Sequence, residues 1–110
     1  RLKDGLGPVD ALAAAFPCGS ITGAPKHRAM QVISRLENEG RGPYCGSVAY
    51  IPANAPAVFS VAIRTATLSE HDQRYRLDYR TGGGVTALSD PAAEYIETED
   101  KAYGFAAMVR

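Results

Sequence analysis

Arg74-Tyr75-Arg76-Leu77-Asp78-Tyr79-Arg80 runs through Thr81 into Gly82-Gly83-Gly84, and a few residues later the chain reads Ser89-Asp90-Pro91. The seven residues alternate as a strand does. Tyr75, Leu77 and Tyr79 share one face, while Arg74, Arg76, Asp78 and Arg80 share the other, giving a side to bury and a side for water. Asp90-Pro91 is a helix start, with aspartate at the N-cap and proline at the first helical position, and it predicts a helix running to about Met108. A strand, a glycine triplet and a helix in this order belong to an α+β fold.

Upstream, two more β-like runs precede this strand. Tyr44 to Ile51 is rich in small, aromatic and β-branched residues, and Val58 to Leu68 is long and partly alternating. Short polar connectors join the three runs and predict an antiparallel meander. Earlier still, Pro8 opens a short helix through Ala15 that ends at Phe16-Pro17, because a residue before proline avoids the α region. Cys18 to Ala24 reads as a loop or short extended piece. Pro25 restarts a helix, in which Ala29, Met30, Ile33 and Leu36 form an apolar stripe expected to face the core, up to the break at Gly40-Arg41-Gly42-Pro43. The predicted order is helix, helix, three strands, helix. Residues 1–110 are expected to form one antiparallel sheet with flanking helices and no internal domain boundary.

Composition narrows the function. With 110 residues and 45% apolar content, the chain can bury one modest core. Twelve basic residues balance twelve acidic ones, so no field draws it to nucleic acid or to an anionic membrane. No apolar run approaches the roughly 20 residues that span a bilayer, and no signal segment opens the chain, so a cytoplasmic location is expected. Cys18 and Cys45 lack the spacing of a zinc site or disulfide framework and are expected to be free thiols.

The chemistry-bearing pattern lies in the last helix. Glu94, Glu97 and Lys101 stand at i, i+3 and i+7, which puts two carboxylates and an ammonium on one stripe. Gly82-Gly83-Gly84 just before it allows positive φ and close approach to backbone N–H groups. Together they suit a hard divalent cation and the anion it also binds. The plain alternative is a solvated face with a Glu97–Lys101 pair worth ~0.3–0.5 kcal/mol. Arg64, inside an apolar run, needs an anion, either a ligand or Asp78. Tyr44 either meets ligand or packs beside the sheet. Ser20 and Thr22 either meet ligand or cap the helix at Pro25. Lys26 sits in a helix's first turn, where a cation is disfavoured, and is expected to have an acidic partner. His27 and His71 are expected at the surface. A non-catalytic anion-binding module built on the glycine triplet would not need the glutamate pair.

Taken together, four blocks resemble a known family. They are Phe16-Pro17-Cys18-Gly19-Ser20-Ile21-Thr22-Gly23-Ala24-Pro25-Lys26, Arg41-Gly42-Pro43-Tyr44-Cys45-Gly46-Ser47, Ala62-Ile63-Arg64-Thr65, and the triplet with Ser89-Asp90-Pro91 through Lys101. In this order they are similar to the C-terminal part of the chorismate-utilising enzymes, which include anthranilate synthase component I, aminodeoxychorismate synthase component I, and isochorismate and salicylate synthases. Ser20, the Tyr44-Cys45-Gly46-Ser47 wording and the uninterrupted glycine triplet are more similar to the aminodeoxychorismate synthases. Pro52 to Ser60 departs from the family's usual connector.

The resemblance implies that Glu94 and Glu97 hold Mg²⁺ against the ring carboxylate of chorismate. It implies that Lys101, Gly84 backbone and the Ser20 hydroxyl contact that carboxylate, and that Tyr44 and Arg64, with Gly82 close by, bind the carboxylate of the enolpyruvyl side chain. The implied reaction is Mg²⁺-dependent amination of chorismate at C4 on the folate route. Ammonia would come from a glutamine amidotransferase chain or domain; anthranilate synthase, with amination at C2, is the alternative. The family's remaining metal ligand, its general acid and a ring-attacking lysine match nothing here. By resemblance the catalytic residues therefore lie in an upstream part of a longer enzyme, and this chain is expected to be inactive alone.

Overall fold

Proline and glycine set the boundaries of the first elements in the computed structural model, which describes residues 2–109. Helix α1 (Pro8–Ala15) starts with proline in its first turn, and Asp10 accepts a 2.7 Å hydrogen bond from the Gly7 N–H. Cys18 to Ala24 is more ordered than its sequence suggests. A single turn, α2 (Gly19–Thr22), forms there, with the Thr22 hydroxyl donating back to the Cys18 carbonyl at 3.2 Å. Gly23 ends it at φ +120°, and a Cβ at that position would stand 3.0 Å from the Ala29 methyl. Helix α3 (Lys26–Leu36) follows with Pro25 as its N-cap, and neither Ser20 nor Thr22 caps it. The expected acidic partner of Lys26 is instead a carbonyl. Its Nζ donates at 3.1 Å to Ala15 O, one of the carbonyls that the end of α1 leaves unpaired.

Strands β1 (Ser47–Tyr50) and β2 (Val58–Val61) pair antiparallel, with Ser47 opposite Val61 and Tyr50 opposite Val58. Two overlapping turns lead into this hairpin, closed by Tyr44 N–H to Arg41 O at 3.2 Å and Gly46 N–H to Pro43 O at 2.9 Å. Cys45, at φ +66°, then exchanges backbone hydrogen bonds across to Ala62: Cys45 N–H donates to Ala62 O at 2.8 Å, and Ala62 N–H to Gly46 O at 3.0 Å. Cys45 and Ala62, 8% and 6% exposed, are the buried hydrophobic residues of the described chain. The apolar stripe expected of α3 is only partly covered, with Ala29 and Ile33 half-buried and Met30 and Leu36 exposed.

The run expected as one long strand, Val58 to Leu68, is two strands. The backbone leaves the ladder at Ala62-Ile63-Arg64, where Arg64 takes the left-handed φ of +49° that no strand residue can hold. The chain divides into two compact units at that point, between Ala62 and Ile63. In the second unit, β3 (Thr65–His71) and β4 (Arg74–Arg80) pair antiparallel from Thr65 opposite Arg80 to His71 opposite Arg74. Their two-residue turn, Asp72-Gln73, has both φ values positive, at +51° and +60°, the handedness that matches strand twist. The meander is thus two hairpins, each a two-stranded sheet.

Helix α4 (Pro91–Met108) matches its predicted bounds, and Asp90 caps it, accepting from Ala93 N–H at 2.9 Å. The Tyr79 and Phe105 rings stack at 4.1 Å between centroids and 10° between planes. That contact covers Tyr79 alone of the apolar face of β4, for Tyr75 remains 71% exposed and Leu77 is also exposed. No helix among the described residues is long and apolar enough to cross a membrane, and Cys18 and Cys45 are free thiols.

A Cβ at position 46 would lie 2.8 Å from the Pro43 carbonyl oxygen, a backbone atom that cannot swing aside. Gly46→Ala in the complete polypeptide is therefore expected to lower stability by about 1–3 kcal/mol, read as a lower denaturant midpoint with unchanged slope.

Candidate functional site

Asp90 and Pro91 fix where α4 begins, and that start fixes what its first three turns present. The Ser89 hydroxyl donates to Glu94 Oε1 at 2.6 Å and accepts from Thr86 N–H at 3.0 Å, so the loop before the helix orients a half-buried carboxylate. Gly83 faces the other oxygen. A Cβ there would stand 3.0 Å from Glu94 Oε2 and 3.7 Å from Thr98 Oγ1. The triplet is needed here for close approach rather than for positive φ, since neither Gly83 nor Gly84 takes a left-handed angle. Two turns along the helix, the half-buried Lys101 ammonium bonds Glu97 Oε1 at 2.5 Å and Gly82 O at 3.3 Å. Two contacts thus join α4 to the glycine triplet: Glu94 faces Gly83, and Lys101, paired with Glu97, reaches Gly82.

The i, i+4 pair offered as the plain alternative is present. Its Lys101 hydrogen bond, reinforced by the ammonium charge, holds the Glu97 carboxyl below its ordinary range. Glu97 is exposed. Lys101 is at once a partner of Glu97 and a donor to the backbone ahead of the helix, so its charge stays beside the Glu97 carboxylate. Two carboxylates one helical turn apart provide hard oxygen donors of the kind Mg²⁺ takes; that ion is commonly held by one or two carboxylates together with substrate oxygens and water. No group of three or more metal-binding side chains occurs among the described residues. The donors fit a magnesium ion completed by a ligand, and they do not form a closed metal cage.

Ser89, Gly83 and Thr98 were not singled out individually as site residues by sequence reasoning. Ser89 carries a faint signal as the residue before an N-cap. Gly84 has nothing within 4 Å of its missing Cβ. Arg64 differs from expectation: it is exposed at the kink before β3 rather than buried within a strand. Asp78, its suggested internal partner, is taken by Arg76, whose Nε and terminal nitrogen lie 3.0 and 2.9 Å from Asp78 Oδ1.

Ser20 and Tyr44 belong to the first unit. Ser20 is exposed on α2 with its hydroxyl 3.2 Å from Cys18 Sγ, a hydrogen bond that lowers the thiol pKa. Tyr44 is half-buried and lines an open groove of about 440 Å³ with Phe16, Ile33, Glu37, Arg41 and Cys45. Burial raises its phenol pKa, keeping the O–H protonated as a donor at neutral pH. The Arg41 guanidinium lies 5.8 Å from the Tyr44 ring centroid.

Residues 1–107 match the family model described as chorismate binding enzyme. This chain belongs to the chorismate-binding enzyme family. It is 43% identical over 104 residues to an anthranilate synthase component 1 of Haloarcula marismortui, covering 94% of this chain and 19% of that protein. It is 50% identical over 102 residues to the aminodeoxychorismate synthase of Streptomyces griseus, covering 93% and 14%. Against the anthranilate synthase component 1 of Streptomyces coelicolor it is 40% identical over 110 residues, covering 100% and 21%. The chain therefore spans about a fifth or less of the length of these relatives.

Lys101→Met is expected to return the Glu97 carboxyl to the ordinary glutamate range, seen by carboxyl NMR titration with Glu97→Gln identifying the signal. Because the folded value is depressed, the pair's contribution to stability is complete above the unfolded value of about 4.3 and is lost as pH falls through the folded one. In the Lys101→Met protein that acid-side loss should disappear.

Proposed function

We propose that this chain is part of a longer aminodeoxychorismate synthase component I, a Mg²⁺-dependent enzyme that aminates chorismate at C4 for para-aminobenzoate and folate synthesis. The observation that carries the reading is the packing, in a member of the chorismate-binding family, of the α4 face bearing Glu94, Glu97 and Lys101 against the Gly82-Gly83 backbone. Magnesium bound by Glu94 and Glu97 would supply charge neutralisation to the ring carboxylate of chorismate. Ser89 keeps Glu94 turned toward Gly83, and Lys101 places a positive charge beside Glu97 and the Gly82 carbonyl. Gly84 presents backbone without a side chain in the way, and in the first unit the family resemblance assigns the Ser20 hydroxyl to a substrate carboxylate. Arg64, exposed and without a hydrogen-bond or ion-pair partner among the described residues, offers a planar fork to the enolpyruvyl carboxylate, to which the resemblance also assigns Gly82 as a neighbour. Tyr44 adds a neutral donor.

The C4 assignment is supported by Ser20, by Tyr44-Cys45-Gly46-Ser47, by Gly82-Gly83-Gly84 and by the 50% identity to an aminodeoxychorismate synthase. Anthranilate synthase component I is the second reading, favoured by several relatives of that name at 40 to 46% identity. In either case ammonia arrives from a glutamine amidotransferase chain or domain, the general acid and remaining metal ligand come from the rest of the polypeptide, and a cytoplasmic setting fits both substrate and cofactor.

Incubating the complete polypeptide with chorismate, ammonium and Mg²⁺ should yield aminodeoxychorismate; anthranilate as product would select the second reading. Glu97→Ala should lower turnover on the order of 10²-fold. The 110-residue chain by itself should give no turnover. Chorismate binding that is indifferent to Mg²⁺ and to Glu97→Ala would overturn the assignment.

A further inference from the structure

The groove of the first unit contains a charged arrangement that the functional reading leaves unused. Glu37 is the residue on which α3 ends, and Arg41 follows four positions later in the double turn. Arg41 Nε donates to Glu37 Oε2 at 2.8 Å and to Oε1 at 3.1 Å, and its terminal nitrogen reaches Oε1 at 2.5 Å. This is a planar two-pronged fork, the geometry that fixes a guanidinium in orientation as well as position. The remaining terminal nitrogen donates to Cys45 Sγ at 3.2 Å, and the guanidinium lies over the edge of the groove 5.8 Å from the Tyr44 ring centroid. One side chain therefore meets both residues at the apex of the turn.

The backbone of that turn is independently fixed. Cys45 is buried in a left-handed conformation, uncommon for a residue with a Cβ, and is held by hydrogen bonds to Ala62 on one side and by Gly46 to Pro43 on the other. With the main chain tied down, the placement of the half-buried Tyr44 ring on the groove wall is left to the side chains around it. Arg41 is the charged group that lies against its ring.

We propose that Glu37 and Arg41 form a positioning pair that holds the Tyr44 ring in place in the groove, so that its phenol meets the substrate carboxylate in one orientation. Glu37 acts on Arg41, Arg41 acts on Tyr44, and neither touches the substrate. This rests on the reading of Tyr44 as a substrate contact.

Two measurements on the complete polypeptide separate the pair from that reading. The first needs no substrate: ring resonances of Tyr44, assigned by their loss in Tyr44→Phe, should shift in Arg41→Lys and in Glu37→Gln. Lysine keeps the charge but not the fork. Unchanged ring resonances in both variants overturn the proposal, whatever the enzyme turns out to bind. The second is a kinetic cycle, in which Arg41→Lys and Tyr44→Phe should each raise the KM for chorismate about tenfold, more than either lowers kcat. Combined, they should raise it little further than one alone, because Arg41 works through the phenol. Additive effects, or an Arg41→Lys protein with unaltered KM, overturn the proposal. Shifted resonances with no effect of Tyr44→Phe on KM would instead remove Tyr44 from the substrate site, refuting the functional assignment while the positioning contact stands.

Discussion

The Lys101 ammonium ties the second unit's site together. It is bound at once to a carboxylate on its own helix and to the Gly82 carbonyl that follows β4, so the end of a strand and the middle of a helix are held across one charge. A pair with one exposed partner contributes little to stability, so its value lies in placement. The stack of Tyr79 on Phe105, worth ~0.5–1.5 kcal/mol beyond its area, joins the same two elements through their apolar sides. Between these two contacts the glycine triplet passes close to Glu94, and that closeness requires the missing side chain at Gly83.

The first unit is organised around a different constraint. Cys45 and Ala62 bond through their backbones just beyond the β1–β2 ladder, and they are also the best-buried hydrophobic residues. The turn that brings Tyr44 and Arg41 to the groove runs into this short paired segment. The guanidinium satisfies three kinds of neighbour there: a carboxylate, a sulfur and a ring.

Much apolar surface remains open in both units, including Val48, Tyr50 and Val58 on the first hairpin and Leu68 and Tyr75 on the second. Hydrophobic burial is the principal favourable term in folding, and here the covered apolar area is small. Such faces suit a segment that packs against further polypeptide. The relatives, of which this chain matches 14 to 21%, have that further length.

Local rules made much of this legible. Proline and aspartate placed the ends of α1 and α4, the alternation of Arg74 to Arg80 gave β4, and the i, i+3, i+7 spacing put Glu94, Glu97 and Lys101 on one stripe, because these features depend on neighbours within a turn or two. The family followed from motif wording in four blocks, and the match over residues 1–107 agrees with it. Other features were set by contacts between residues distant in sequence. The kink at Arg64 splits a run that alternation alone reads as continuous, Lys26 found a carbonyl eleven residues away where charge logic pointed to an acid, and Gly83 proved necessary for a glutamate on the next element. Sequence fixes the conformational preference of each short stretch and the chemistry it carries. Tertiary structure decides which stretches meet, because hydrogen bonds and close approach depend on distances between residues that periodicity does not encode.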